Sequence, residues 1–211
     1  MNYLKLLPKD NFKKPLMYSY RRCPYAMRAR MILVNENIDF DIFEISLKDK
    51  PAELLKISPK GTVPVLVTKD EVIDESLEII SWAFNQNEKS TFHKLTKSEI
   101  DFANALIKQN DNEFKSVLDH YKYHIKYPEK TKQNWRADCL FFFEILEKQL
   151  SNYRFLIRDQ ITYADIAIFP FIRQFSNVDL EAFQDLNYDK TKAWLSYLIN
   201  LDLFKKIMVK P

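Results

Sequence analysis

Hydrophobic periodicity changes near residue 88, and this change constrains the fold of the chain more than any other feature. Before it, short apolar runs of strand type alternate with stretches of helical spacing, whereas only helical spacing follows it. The strand-like runs are 15–20, 40–47, 63–68 and 71–75, and the helical stretches are 24–37, 51–58 and 76–86. The polar segment 85–96 separates the two patterns. We therefore predict two domains, 1–87 and 88–211, of which the second is all-helical.

The predicted elements of the first domain follow the order βαβαββα. This order is typical of a thioredoxin-like α/β domain, with a mixed sheet between helices. In the second domain, apolar residues recur at helical spacing through 97–125 and 131–150. Further along, Thr162 and Asp165 have the spacing of a capping box at a helix start, and Pro170 is expected to kink or loosen that helix locally.

The composition of the chain excludes several kinds of protein. Its 211 residues are 46% hydrophobic and carry a net charge of +3, so no bulk charge favours nucleic acid or an anionic membrane as a partner. No run of about 18 uncharged apolar residues occurs and no apolar signal segment begins the chain, so we expect a cytoplasmic protein without a membrane span. Gly61 is the single glycine, which argues against the glycine-rich loops that hold nucleotides.

Two cysteines, Cys23 and Cys139, are expected to be reduced thiols, because they lie far apart in the chain and no secretory signal accompanies them. Cys23 immediately precedes Pro24, where a predicted strand gives way to a predicted helix. The unpaired N–H groups and the positive end of that helix favour a thiolate, so we predict that Cys23 is reactive. Cys139 falls on the apolar stripe of its helix, which predicts a core residue.

Position 26 is alanine, and the motif Cys-Pro-Tyr-Ala therefore lacks a second thiol. A mixed disulfide at Cys23 would need an external thiol to resolve it, which predicts a monothiol mechanism with a low-molecular-weight co-substrate. Three arginines lie around the motif, namely Arg21, Arg22 and Arg28. The sequence leaves open whether they tune the thiolate, meet an anionic substrate or only solvate the helix.

Two further patterns in the second domain have simple explanations. His120 and His124 are spaced i, i+4, but no Glu accompanies them and His93 is remote, so we predict a solvated helix face and no metal. Segment 120–130, HYKYHIKYPEK, alternates aromatic and basic residues as some single-strand nucleic-acid binders do. We instead expect its tyrosines to line an acceptor-substrate cleft or to cover the helix edge, with no nucleic acid as partner.

The segments CPYA, LKDKPAELLKISPKGTVPVL and DESLEI, in this order and spacing, resemble the glutathione transferase superfamily. The resemblance is nearest to its omega-like, cysteine-containing branch of bacterial type, which has a glutaredoxin-like N-terminal domain. It covers the first domain strongly and the helical domain more loosely, chiefly through TYADIAIFPF. It implies the glutathione transferase fold, glutathione as co-substrate and a two-fold homodimer.

The resemblance also assigns residues to a glutathione site. Val63 and Pro64 match the cis-proline position, where the backbone of the preceding residue pairs with the cysteinyl part of glutathione like an added strand. Glu75 and Ser76 match the pair that holds the γ-glutamyl end, the acid at its ammonium and the serine at its carboxylate. From the residues alone, a trans proline starting an edge strand and a simple helix N-cap explain the same positions.

Two further positions complete the implied site. Lys50 matches the lysine that approaches the glycyl carboxylate of glutathione, although a loop lysine is by itself usually only solvated. Tyr25 falls at the aromatic position beside the cysteine, where it packs on the tripeptide or, equally well, in the core.

These assignments lead to a first hypothesis, a glutathione-dependent thioltransferase or deglutathionylating enzyme. Cys23 would attack a disulfide, a glutathione adduct or an oxidised small molecule, and a second glutathione would resolve the resulting mixed disulfide. A second hypothesis is a non-catalytic protein of the same fold that binds a macromolecular partner, similar to the stringent starvation proteins that associate with RNA polymerase.

Overall fold

The computed structural model describes residues 1–7, 13–87, 90, 92 and 94–210. They form two compact units, Met1–Ser90 together with Leu201–Pro211, and Thr91–Asn200. The first unit is a thioredoxin-like α/β domain and the second is helical, as the periodicity predicts. The sequence prediction assigned residues 201–211 to the helical domain, whereas the structure groups them with the α/β unit.

A five-stranded mixed sheet forms the centre of the α/β unit. Its strands are β1 (Asn2–Tyr3), β2 (Leu16–Ser19), β3 (Asp41–Glu44), β4 (Val65–Val67) and β5 (Val72–Ile73), in the spatial order β1-β3-β2-β4-β5. Strands β1 and β2 pair parallel with β3, and β4 pairs antiparallel with β2 and β5. Every residue of β2 is buried, which fits a strand covered on both faces. The periodicity did not predict β1, because two residues are too few to show an alternation.

The helices of this unit are α1 (Pro24–Asn35), α2 (Ala52–Ile57) and α3 (Ser76–Asn85). Helix α1 begins as predicted, with Cys23 at its N-cap in an extended conformation and Pro24 in its first turn. Proline suits that position because the N–H it lacks would have no acceptor within the helix. Helix α3 begins at Ser76, with Glu75 at its N-cap.

The helical unit contains α4 (Lys97–Gln109), a π-helical turn (Asn110–Phe114), α5 (Lys115–Lys122), a 3₁₀ turn (His124–Lys126), α6 (Lys132–Asp138), α7 (Leu140–Asn152), α8 (Tyr163–Ser176), α9 (Leu180–Gln184) and α10 (Asp189–Asn200). Its core contains buried phenylalanines, among them Phe143 and Phe175, whose ring centroids are 4.6 Å apart. Thr162 and Asp165 form the predicted capping box, and α8 continues through Pro170.

A short last helix, α11 (Asp202–Ile207), packs against α1 of the α/β unit. Its Phe204 and Ile207 are buried, which explains why this segment groups with that unit although its periodicity matches the helical domain. None of the helices formed by the described residues is long and apolar enough to cross a membrane.

Candidate active site

Cys23 lies where β2 turns into α1, with its side chain half-buried. Its N–H donates to the Tyr20 carbonyl over 2.9 Å, and its own carbonyl accepts from the Met27 N–H over 2.9 Å, the first helical bond. The thiol Sγ lies 3.5 Å from the Val63 carbonyl oxygen, against an apolar cluster that includes Val63. Neither this cysteine nor Cys139 forms a disulfide. The local geometry therefore places a thiol at the positive end of a helix, as the sequence predicts.

Two charged side chains hold the turn that leads to Cys23. The Arg21 N–H donates to Glu44 Oε1 over 2.5 Å, and the Arg21 carbonyl accepts from Arg30 Nη2 over 2.6 Å. Arg30 is completely buried, and burial lowers the pKa of its guanidinium, an effect that the charge of Glu44 opposes. Sequence reasoning missed Arg30 and Glu44, because nothing in their local pattern distinguishes them from ordinary helix and strand charges.

The three arginines near the motif have separate surroundings. The Arg21 guanidinium donates to the Met208 carbonyl over 3.4 Å. Arg22 is exposed and donates from Nε and Nη2 to the Tyr20 hydroxyl over 3.0 and 2.6 Å. Arg28 is buried, with its guanidinium carbon 5.2 Å from the centroid of the Tyr25 ring.

The loop between α2 and β4 contains Gly61 and Val63, and the Lys50 side chain lies against it at Gly61. The Val63–Pro64 peptide is cis, as the resemblance implied. Gly61 has a φ of +60°, and a Cβ there would lie 3.0 Å from Leu55 Cδ2 and 3.3 Å from Lys50 Nζ. Glycine alone can adopt this positive φ without strain and, having no Cβ, leave the space to Leu55 and Lys50.

A cavity of about 220 Å³ opens beside the cis peptide. It is lined by Tyr25, Lys60, Thr62, Val63, Pro64, Asp74, Glu75 and Ser76. Five of these are predicted site residues: Tyr25, Val63, Pro64, Glu75 and Ser76. Cys23 and Lys50 are not among the lining residues, although Cys23 contacts the same loop through Val63.

Among the described residues, three charged side chains line this cavity, two acids just before α3 and a lysine from the loop before β4. Lys60 Nζ lies 2.7 Å from Glu75 Oε1 and 3.2 Å from Asp74 Oδ1. The Ser58 hydroxyl donates to Asp74 Oδ2 over 2.9 Å, and this bond, with the charge of Lys60, lowers the pKa of Asp74. Sequence reasoning assigned neither Asp74 nor Lys60 to the site, because a loop lysine carries no local signal of what it contacts.

The start of α3 is not closed by a side-chain cap. Glu75 occupies the N-cap position, but its carboxylate makes no capping hydrogen bond, and Ser76 is buried as the first helical residue. The simple N-cap interpretation of this stretch is therefore not what the structure shows. Uncapped N–H groups beside a cavity are available to an anionic ligand group.

The remaining candidate residues lie in the helical unit. Cys139 is completely buried, and burial raises the pKa of its thiol, so it is the predicted core cysteine. His120 packs against the rings of Tyr127 and Trp135, with centroids 4.1 and 4.5 Å away, so the prediction of a solvated face was wrong for this histidine. His93 lies outside the described residues. In the part of the chain that is described, no three His, Cys, Asp or Glu side chains are placed to share a metal ion.

Comparison with known families decides the superfamily. Residues 17–91 match the family model of the glutathione S-transferase N-terminal domain, and residues 105–202 match that of the glutathione S-transferase C-terminal domain. The chain belongs to the glutathione S-transferase superfamily.

Individual glutathione transferase relatives are distant. A protein of Caenorhabditis elegans named probable maleylacetoacetate isomerase is 27% identical over 185 residues, covering 83% of this chain and 86% of its own. Glutathione S-transferase omega-1 of Mus musculus is 26% identical over 186 residues, covering 85% and 74%. The crystal structure of a glutathione transferase of Phanerochaete chrysosporium in complex with oxidised glutathione superposes with a TM-score of 0.80 at 18% identity, covering 92% of this chain and 94% of that one. This similarity confirms the glutathione transferase fold.

Proposed function

We propose that this glutathione transferase binds glutathione along the edge of its α/β unit and uses Cys23 to exchange disulfides with it. The observation that carries the proposal is the position of Cys23, at the N-terminus of α1 with its Sγ 3.5 Å from the Val63 carbonyl. Val63 lines the cavity that also holds Glu75 and Ser76. The nucleophile and the proposed site for a zwitterionic head group therefore both adjoin the loop that carries Val63.

The proposed binding mode follows from the charges of the cavity. The α-ammonium of glutathione would contact the Glu75 carboxylate, and its α-carboxylate would receive the uncapped N–H groups and hydroxyl at Ser76. The cysteinyl part would lie along the backbone of Val63, next to Cys23. At the other side of the loop Lys50, whose Nζ lies beside Gly61, would meet the glycyl carboxylate. Tyr25 lines the same cavity and would pack on the γ-glutamyl part.

The proposed reaction proceeds in two exchanges at Cys23. Its thiolate attacks the glutathione sulfur of an adduct R–S–SG, which forms the Cys23–SG disulfide and releases RS⁻, which takes up a proton. A second glutathione, as thiolate, attacks the glutathionyl sulfur of the Cys23–SG disulfide. This step releases oxidised glutathione and restores the Cys23 thiolate. The electron pair that reduces R–S–SG thus comes from glutathione. Position 26 is alanine, so the protein supplies no second thiol at the motif to resolve the intermediate itself.

The charged cavity also favours this function over a partner-binding role without turnover. A scaffold does not require carboxylates, an uncapped helix start and a thiol around one loop. The choice of the omega-like branch rests on Cys23, since relatives named as omega-1 and as maleylacetoacetate isomerase are 26% and 27% identical to this chain. The two-fold dimer and the cytoplasmic location expected from the sequence stay part of the proposal, and light scattering of the purified protein would measure the first.

The decisive experiment is glutathionylation by oxidised glutathione, read by intact mass. Wild type and Cys139→Ala should each gain one glutathionyl group, released on adding reduced glutathione, whereas Cys23→Ser should gain none. Turnover of a small glutathione mixed disulfide, with reduced glutathione as the second substrate, should be lost in Cys23→Ser and kept in Cys139→Ala. Modification of Cys139, or turnover that survives in Cys23→Ser, would overturn the mechanism.

A further inference from the structure

Lys60 is the one ammonium group among the residues that line the described cavity, and it lies between the two carboxylates there. Its Nζ is 2.7 Å from Glu75 Oε1 and 3.2 Å from Asp74 Oδ1. The shorter of these contacts is with Glu75. This is the carboxylate to which the proposed function assigns the α-ammonium of the ligand.

A lysine ammonium and a ligand α-ammonium present the same chemistry to a carboxylate, three N–H donors and one positive charge. Both therefore compete for Glu75, whose side chain is 58% exposed and has no other partner within the described chain. A ligand ammonium that reaches Glu75 thus meets a carboxylate whose Oε1 already contacts Lys60.

Asp74 is placed to retain an ion pair with Lys60 when a ligand ammonium binds to Glu75. Its Oδ2 accepts from the Ser58 hydroxyl, which leaves Oδ1 directed at Lys60. The Asp74 side chain is also the less exposed of the two acids, at 27%. Lys60 itself is half-exposed on a flexible stem, so it can move from a shared position to Asp74 alone without any change in the backbone.

We infer that Lys60 is an affinity- and specificity-determining residue of the glutathione site, occupying Glu75 as an internal competitor and passing to Asp74 when ligand binds. The inference rests on the proposed function, since it takes Glu75 as the ammonium acceptor. It has a consequence for selectivity. A cationic ligand without a carboxylate only replaces Lys60 at the Glu75 carboxylate. An α-amino-acid head group also binds the N–H groups at the start of α3, at Ser76, and is therefore preferred.

The test measures the dissociation constant of S-methylglutathione by titration calorimetry, since this thioether keeps the γ-glutamyl head but cannot form a disulfide. Lys60→Met should bind it about two- to fivefold more tightly than wild type, the range expected for removal of an exposed competing ion pair. Lys56→Met is the matched control, because it removes an exposed lysine from the end of α2 that has no ion pair in the described structure. Its affinity should stay the same or fall slightly, since the ligand is a net anion.

Asp74→Asn tests the second half of the inference. In the wild-type background it should weaken binding, because Lys60 then has no acid left when the ligand takes Glu75. In the Lys60→Met background the same substitution should have little effect. This non-additivity separates a role in holding Lys60 from a direct contact between Asp74 and the ligand, which would weaken binding in both backgrounds.

A second probe is the analogue of S-methylglutathione whose γ-glutamyl group is replaced by glutaryl, which lacks the α-ammonium. Its affinity should not rise in Lys60→Met, because it does not compete for Glu75. Weaker or unchanged binding of S-methylglutathione by Lys60→Met would overturn the inference and leave the glutathione site intact. Absence of binding to wild type and to every variant would instead reject the proposed site, and the inference with it.

Discussion

The buried side chain of Arg30 holds the backbone of Arg21, donating from Nη2 to its carbonyl oxygen over 2.6 Å. Glu44 accepts the N–H of the same residue over 2.5 Å. Opposite charges from α1 and β3 thereby fix both backbone polar groups of a residue two positions before Cys23. The turn that carries the thiol is held from the interior of the domain.

Arg30→Met should lower both the stability of the fold and the reactivity of Cys23. It leaves the part-buried Arg21 carbonyl without its donor, and the loss should not exceed the roughly 1–3 kcal/mol of unfolding free energy that a fully buried unsatisfied group costs. It also removes a positive charge within electrostatic reach of Cys23, so the pH midpoint of Cys23 alkylation should rise. Urea titration and alkylation rates at a series of pH values measure the two effects.

Arg22→Met is the matched control for Arg30→Met. Arg22 is exposed, and its contacts among the described residues are with the hydroxyl and the ring of Tyr20, so its loss should change stability by less than about 0.5 kcal/mol. Equal effects of the two substitutions on stability and on the alkylation profile would contradict the role given to Arg30.

The two cysteines should differ in accessibility to a thiol reagent. In the folded protein iodoacetamide should modify Cys23, which is half-buried at a helix start, and should leave Cys139 untouched, since burial both shields its thiol and raises the pKa. In urea both should react. Peptide mapping by mass spectrometry gives the ratio of labelling, and early labelling of Cys139 in native buffer would show that the junction of α6 and α7 opens more readily than the packing indicates.

Gly61→Ala should damage both the fold and the site. The left-handed backbone at φ +60° costs an alanine about 1–2 kcal/mol, and the added Cβ presses on Leu55 and Lys50. Since the same loop carries Val63, affinity for S-methylglutathione should fall as well. Calorimetric titration and urea unfolding measure the two losses.

Asn37→Ala separates backbone strain from the effect on the site. Asn37 also has a positive φ, 57°, but it lies after the end of α1 and away from the cavity lining. It should lose stability by a similar mechanism while ligand affinity stays at the wild-type value. A loss of affinity equal to that of Gly61→Ala would mean that destabilisation alone explains both results.

Asp74 should contribute stability that disappears in acid. Its folded pKa lies below the ordinary 3.8, first because of the Ser58 hydroxyl and then because of Lys60, so the ionised form is favoured by folding. A depressed carboxyl pKa stabilises the fold above the unfolded pKa, and the contribution is lost as the pH falls through the folded value. Wild type should therefore be more stable than Asp74→Asn at pH 7, and the difference should shrink below pH 3.8. A difference that is constant down to pH 2 would contradict this linkage.

The order of elements in the α/β unit and the helical character of the second unit were predictable from sequence. A strand or helix that buries one face repeats its apolar residues with the period of that element, and this repeat is visible in the sequence. The reactive position of Cys23 was predictable for a related reason. Pro24 marks a helix start, and the positive end of a helix favours the thiolate form of a cysteine placed there. The short strand β1 and the grouping of α11 with the α/β unit were not, since each depends on a partner far away in the chain.

Neighbouring residues in the sequence suffice to predict the order of the longer elements and the position of the thiol at a helix start, whereas the need for glycine at position 61 follows from the folded loop, where its φ is +60° and a Cβ would press on Leu55 and Lys50. Which charges meet depends on how the chain folds in three dimensions. Arg30 of α1 and Glu44 of β3 both bond to the backbone of Arg21. Lys60, in the loop before β4, forms an ion pair with Glu75 at the start of α3. Such contacts require the chain to bring distant segments within a few ångströms, and the energy of a charge depends on what it then faces.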